Sequence, residues 1–426
     1  MRKRLLVKIG YAYATGYILQ IVGKLLRLKR NGSFGIQLRR LLVDSLVGRV
    51  PKFLVCLFGG YLVTNDLIIS TLKYRLNRKK KQLDHALTRQ ASWIAAVAAS
   101  TSAIFLFIDQ SQRMDLALFV AIRALDSHVR YHSVLFKQIL GLSDTLASII
   151  PSAIFQLSCW EIMYSWMYRP ESLPRSYNKW ISRLSEMNLG LLDLLRGLAN
   201  GTLVYGRDNG QAEYLKDYAE ELGLHRSMGS LARGPLDCQL VHDGIKGCIP
   251  FNLHSFASGF RNCIKIYGSV HFVSLILMRV NKIKKESKAE IFERVVDLIM
   301  SSCRSALFLT TFISIIKSSI CFIRNTAPQL KDGPIQQNIA SFLCGFAILI
   351  ETRSRRREMA LYCLPKALES FISRNNHISA LNSSYMKKAV ECLLFSSGIT
   401  LLIDNYEHQP RAVPSLVRLL FPIFIF

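Results

Sequence analysis

The sequence predicts an all-α polytopic membrane protein, built from two tandem repeats of about four helices each with a soluble helical linker between them. Three observations carry this expectation. Half of the 426 residues are hydrophobic and only 20% are charged, against roughly 25% charged residues in an ordinary soluble domain. The apolar residues gather in runs that approach the twenty or so needed to cross a bilayer. The chain also repeats itself at an offset of 243 residues. Disorder, collagen and a disulfide-stapled miniature fold are excluded by the same composition.

The first repeat is expected over residues 1–180. Its N-terminal stretch, Met1–Val43, has ten Lys or Arg and no acidic residue, like a mitochondrial transit peptide or a signal-anchor. A weak counterpart near Asn262–Asp297 favours its retention, since a removable leader needs no internal partner. Ile9–Gly23 is a short, fairly polar apolar segment. Phe53–Leu72 is a span interrupted only by Asp66, Gln90–Ile108 contains no charge at all, and Thr145–Tyr168 carries only Glu161.

The linker, residues 181–261, changes character, as Gly, Asp, Glu and Tyr become frequent. Short amphipathic helices are expected at Trp180–Leu198, which begins just before it, and Gln211–Leu222, with a turn at Arg207-Asp208-Asn209-Gly210 between them. The second repeat, 262–426, offers Ile266–Met278, Ser305–Ile323 with Lys317 inside, the uncharged Gly333–Ile350, and the short Cys392–Ile403 next to Asp404. A soluble all-α protein with buried apolar helices is the alternative. Against it, Trp93–Ile108 is apolar or small on every side, whereas a soluble helix needs a polar outer face.

The repeat is clearest where Gln112–Ser127 (QRMDLALFVAIRALDS) meets Arg355–Ser370 (RRREMALYCLPKALES), with six identities in sixteen positions and four close exchanges. At the same offset Ala98 and Ser102 fall on Ser341 and Gly345, a small-xxx-small pair in each copy that would let helices approach closely in lipid. At an offset of 240, Pro170 and Pro174 fall on Pro410 and Pro414, and proline is expected where an apolar helix stops. Four crossings per copy would make the repeats parallel, and three would make them inverted.

Chemistry-bearing residues are few. Asp66, Glu161, Lys317 and Asp404 are costly in hydrocarbon and are expected to face a bundle interior or wet cavity, or to snorkel where they lie near a span end. Cys238, His242, Cys248, His254 and Cys263 cluster in sequence with zinc-compatible residue types. They lack the paired C-x-x-C knuckle, so Cys238, His242 and Cys248 are metal candidates of second rank behind simple loop packing. The ten cysteines follow no disulfide framework. Cys56, Cys159, Cys321, Cys344 and Cys392 lie in apolar stretches where a thiol acts as a small hydrophobe, so reduced thiols and an intracellular location are expected.

Phosphate-cradle, serine-hydrolase, metalloprotease and dinucleotide motifs are absent, so no catalytic residue and no cofactor is expected. Subtracting 29 acidic from 55 basic residues leaves a net charge of +26. The basic runs Lys73–Lys81 and Arg353–Arg357 follow apolar spans directly, which suits anionic lipid at a bilayer surface. No aromatic-interleaved platform accompanies them, so nucleic acid is not an expected partner.

The stretch Glu351-Thr-Arg-Ser-Arg-Arg356-Arg-Glu358-Met-Ala-Leu-Tyr362-Cys-Leu-Pro365-Lys-Ala-Leu-Glu369-Ser370, following a small-residue span, resembles the signature of the transmembrane protein 135 family. A small four-span peroxisomal membrane protein family shares much of it. Met167–Trp180 and Cys238–Cys248 also resemble the first family. More remotely, the four-span unit is similar to the channel-forming family of mitochondrial inner-membrane protein translocases. The resemblance implies a multi-pass, non-enzymatic protein of peroxisomal or mitochondrial membranes, connected with lipid or metabolite handling and organelle dynamics. The alternative it implies is a translocation or membrane-assembly component with membrane-protein partners. The first copy departs from the motif, with Ile122 at the place of Pro365 and Met114 at that of Arg357.

Overall fold

A computed structural model describes residues 2–25, 41–78, 84–132, 144–207, 213–283, 288–327, 333–374 and 384–425. Among them the chain is helical, with no strand. In chain order, α1 is Arg2–Leu25. A short helix, Arg49–Leu54, passes through a π-turn at Val55–Gly59 into α2, Gly60–Arg78. Then come α3 (His85–Phe107), α4 (Gln110–Tyr131) and α5 (Asp144–Tyr168). The linker supplies α6 (Arg175–Leu184), α7 (Leu189–Ala199) and α8 (Glu213–Glu221). They are followed by α9 (Cys248–Ile283), α10 (Lys288–Thr326), α11 (Pro334–Cys344), α12 (Arg353–Arg374), α13 (Ser384–His408) and α14 (Ser415–Phe424). The expected turn at Asp208–Gly210 and the lysines Lys79–Lys81 lie outside the described residues.

These helices gather into two compact units. One comprises Met1–Ser143 with Asn375–Phe426, and the other Asp144–Arg374. Units therefore divide the chain differently from boundaries drawn at 180 and 262, and the reason is where α5 and α13 pack. In the first unit α2 packs on α3, and α3 and α4 are covered by α13. In the second, α9 packs on α10, α10 on α11, and α11 and α12 are covered by α5. Each closing helix thus comes from the other half of the sequence. The linker helices α6, α7 and α8 belong to the second unit, where Ile181, Leu191, Leu192 and Leu215 join its apolar core.

Matching polar contacts sit at both closures. Asn405 Nδ2 of α13 donates to Ser127 Oγ of α4 at 3.2 Å. In the other unit Ser165 Oγ of α5 lies 2.7 Å from Ser370 Oγ of α12. The arginine at the fourth position of each aligned helix turns back onto the preceding carbonyls. Arg113 donates to Ile108 O and Phe105 O, and Arg356 to Glu351 O and Leu349 O. These four bonds satisfy carbonyls that a helix C-terminus leaves without partners. A 3-10 turn led by proline, Pro170–Ser172 or Pro410–Ala412, ends each closing helix.

One expected span changes winding. Gly333–Ile350 is α-helical only to Cys344, and Gly345–Ile350 is 3-10 helix. Gln156 Nε2 of α5 donates to Phe342 O, the acceptor that Phe346 N–H would use in an α-helix, so the next residues tighten to the i−3 pattern. Six residues of 3-10 helix wind about two turns where an α-helix winds about 1.7, rotating the upstream face by about 120°. Ser341 and Gly345 are accordingly buried against α5, and a Cβ on Gly345 would stand 3.1 Å from the Gln156 Cα. Ala98 and Ser102 of continuous α3 are exposed. The buried stripe there is Ala91, Ala95, Ala99 and Ala103 with Ala96, and Ala98 sits about 100° from Ala99 and about 200° from Ala96. The packing expected of Ala98 and Ser102 is therefore made by their neighbours.

Among the described residues, three segments are long and apolar enough to cross a membrane, Leu41–Arg78, His85–Phe107 and Phe292–Thr326. Only 22%, 44% and 28% of their most apolar stretches are buried, and Ile94, Leu106, Ile299 and Phe322 are among their exposed side chains.

Candidate functional site

The second unit holds an apolar cavity of about 210 Å³. Phe155, Met163 and Trp166 enter it from α5, Trp180 from α6, Phe308, Phe312 and Lys317 from α10, and Met359 and Tyr362 from α12. Its shape follows from local structure. Arg196 of α7 donates to Trp166 O and Met167 O, capping α5 at 2.7 and 3.2 Å. The Asn188 side chain accepts from Gly190 N and Leu191 N and starts α7 beside it. Lys317 is the cation of this lining. Its Nζ donates to Ser255 Oγ at 2.7 Å and lies 5.5 Å from the centre of the Phe251 ring, so its charge is held by α9 while its stem lines the apolar wall.

The other charges expected inside spans are placed individually. Glu161 pairs with Arg374 Nη2 at 3.1 Å and accepts from Ser165 Oγ at 3.1 Å. Asp404 takes a two-pronged bond from Arg89, Nε and Nη2 each at 2.7 Å, and a third from Trp93 Nε1 at 3.1 Å. Asp66 is half-buried on α2 in the first unit and does not line the cavity. Glu161 and Asp404 thus staple closing helices to their units, a role that needs no wet cavity.

The motif from Glu351 to Ser370 has one buried end. Glu351 is 2% exposed and accepts from Ser305 Oγ of α10 at 2.7 Å, with Arg355 Nη1 3.8 Å away. Arg356 is the cap described above, Pro365 is buried inside α12, Glu369 is half-buried and Glu358 is exposed. Tyr362 is 47% exposed and edges the cavity. These residues do not converge on one reaction centre.

The cysteine–histidine stretch does converge. Cys238 opens a single helical turn, Cys238–Val241, that Asp237 caps by accepting from Gln239 N. His242 follows it, and Cys248 begins α9. Positive φ angles at Asp243 (51°), Gly244 (85°) and Gly247 (90°) fold the loop back, a conformation in which glycine is unstrained. The ligand atoms of Cys238, His242 and Cys248 consequently all lie within 4.8 Å of one another. Burial first, then the charge of Arg324, pushes the His242 pKa below its ordinary value, leaving a neutral imidazole at pH 7. His254 is exposed and Cys263 is buried in the core of the unit, so neither joins the group.

A residue that sequence reasoning assigned to apolar packing does join it. Cys321 of α10 brings its Sγ to 3.1 Å from His242 Nε2. Its seventy-odd residues of separation from the loop hid it, because no local spacing links them. No family model, curated protein or solved structure matches the chain.

Proposed function

We propose that this is a multi-pass, non-enzymatic protein of an organelle membrane, peroxisomal or mitochondrial, that handles lipids or similarly apolar metabolites. The apolar cavity carries this reading. At about 210 Å³ it exceeds the roughly 150 Å³ that admits benzene in an engineered protein cavity. Its lining is almost wholly apolar, with the stem of Lys317 in the wall and its charge turned to Ser255, which matches an acyl chain or a similarly apolar molecule. Each methylene drawn into such a site contributes about 0.8 kcal/mol. The many exposed apolar side chains of Leu41–Arg78, His85–Phe107 and Phe292–Thr326 support a hydrocarbon surround, since apolar exposure beyond scattered single residues marks contact with a membrane or a partner. Two tandem repeats whose closing helices are exchanged would account for the matching serine contacts, arginine caps and proline turns.

Full-length protein, purified in mild detergent after carbonate-resistant membrane extraction, tests the reading by mass spectrometry of solvent-extracted lipid. A defined apolar ligand is expected in the wild type and its loss in Ile313→Trp, which fills the cavity. Identical lipid content in both, or release of the protein into the carbonate supernatant, would overturn it.

A further inference from the structure

We propose that Cys238, His242, Cys248 and Cys321 form a closed tetrahedral site for zinc, or a similarly thiophilic divalent metal, that pins the loop 237–248 to α10. Four features of the second unit support it. The donor atoms of the three loop residues share one space within 4.8 Å. In a tetrahedron with Zn–S of about 2.3 Å and Zn–N of about 2.0 Å, ligand atoms stand about 3.5–3.8 Å apart, so modest closure reaches the bound geometry. Cys321 Sγ supplies the fourth corner, 3.1 Å from His242 Nε2 and beside the Cys248 thiol.

His242 itself is poorly provided for without a metal. It is 1% exposed, its Nε2 meets only the Cys321 thiol among the described hydrogen bonds, and its Nδ1 is buried without a hydrogen-bond partner among the described residues. A buried polar group in that position is costly, and coordination through one ring nitrogen is the chemistry that imidazole and thiolates share.

The surroundings suit bound thiolates. Asn325 Nδ2 donates to Cys248 Sγ at 3.3 Å, and Asn252 Nδ2 points at Cys321 Sγ from 3.8 Å, as amide donors do around metal-bound sulfur. Three thiolates and one neutral imidazole around a divalent ion carry a net charge of −1. Arg324, 2% exposed and donating to Leu236 O at 2.5 Å, places a buried positive charge next to His242. With four protein ligands the site has no open position, so its role is to fix structure.

The test uses the full chain, purified in detergent with reductant from zinc-replete cells. Elemental analysis should give about one zinc per chain, and exchange with Co²⁺ should produce the visible bands and sulfur-to-cobalt charge transfer of a tetrahedral thiolate site. Cys321→Ser should abolish both, Asn325→Ala should weaken metal affinity about tenfold, and Cys263→Ser, outside the group, should change neither. Should Cys321→Ser fail to fold, alkylation of wild-type thiols decides the matter: Cys238, Cys248 and Cys321 should react only after chelation. Metal-free protein without cobalt bands, or a Cys248–Cys321 disulfide in the freshly isolated chain, would overturn the proposal.

Discussion

The clasp between α5 and α12 permits a quantitative test. Glu161 and Arg374 meet at 3.1 Å with side chains 16% and 26% exposed, so their gross attraction at an effective dielectric of about 20 is about 5 kcal/mol. Desolvation of both groups offsets most of this. Glu161→Gln should therefore cost about 1.5–3 kcal/mol, the usual worth of a hydrogen bond to a charged group. Arg374→Gln should cost a similar amount plus the stacking of its guanidinium on Tyr164, whose ring centre is 5.3 Å away. The double variant should lose less than the sum, because each single change leaves the other charge half-buried and unpaired. A coupling of about 1–2 kcal/mol is expected. Denaturation of the detergent-solubilised chain, followed by tryptophan fluorescence from Trp160 and Trp166 on α5, measures it. A coupling below about 0.5 kcal/mol would show that this ion pair does not hold the exchanged helix.

Five other substitutions are expected to have measurable effects. Tyr218 donates to Asp243 Oδ1 at 2.6 Å, and burial, then that bond, raises its pKa above the ordinary 10.0. The stabilisation is complete below pH 10.0 and is lost as pH rises toward the folded value, because the unfolded phenol ionises first. Tyr218→Phe should remove this alkaline loss and cost about 1.5–3 kcal/mol at pH 7, as read by thermal melts at pH 7 and 10.5. Gly398→Leu should weaken the α4–α13 closure by about 1–3 kcal/mol, since even a Cβ there meets Ala121 N at 3.1 Å. Gly10→Ala on α1, where nothing lies within 4 Å, should instead gain about 1 kcal/mol. Arg113→Ala and Arg356→Ala should each cost about 1 kcal/mol, and hydrogen exchange should show faster opening at 105–108 and 345–350 respectively.

Much of this architecture can be read from the residues. Uncharged runs mark α3 and the α11 region, and the prolines at 170 and 410 mark the ends of α5 and α13. What pattern could not convey depends on contacts across long separations. Ala98 and Ser341 align in sequence but face differently, because Gln156 draws a carbonyl out of one helix and tightens its winding. Cys321 looks like a small hydrophobe until α10 brings it to a loop far upstream. The compact units escape any linear boundary because α5 and α13 each pack with the half that they do not follow.

That exchange orders events during biosynthesis. When the ribosome has made residues 1–374, the second unit already has every helix it needs, including α5, whereas α3 and α4 still present the surface that α13 will cover. The unit begun first is therefore finished last. A nascent chain stopped near residue 374 would carry one completed assembly and one with an adhesive flank, a substrate for quality-control machinery rather than a working half-protein.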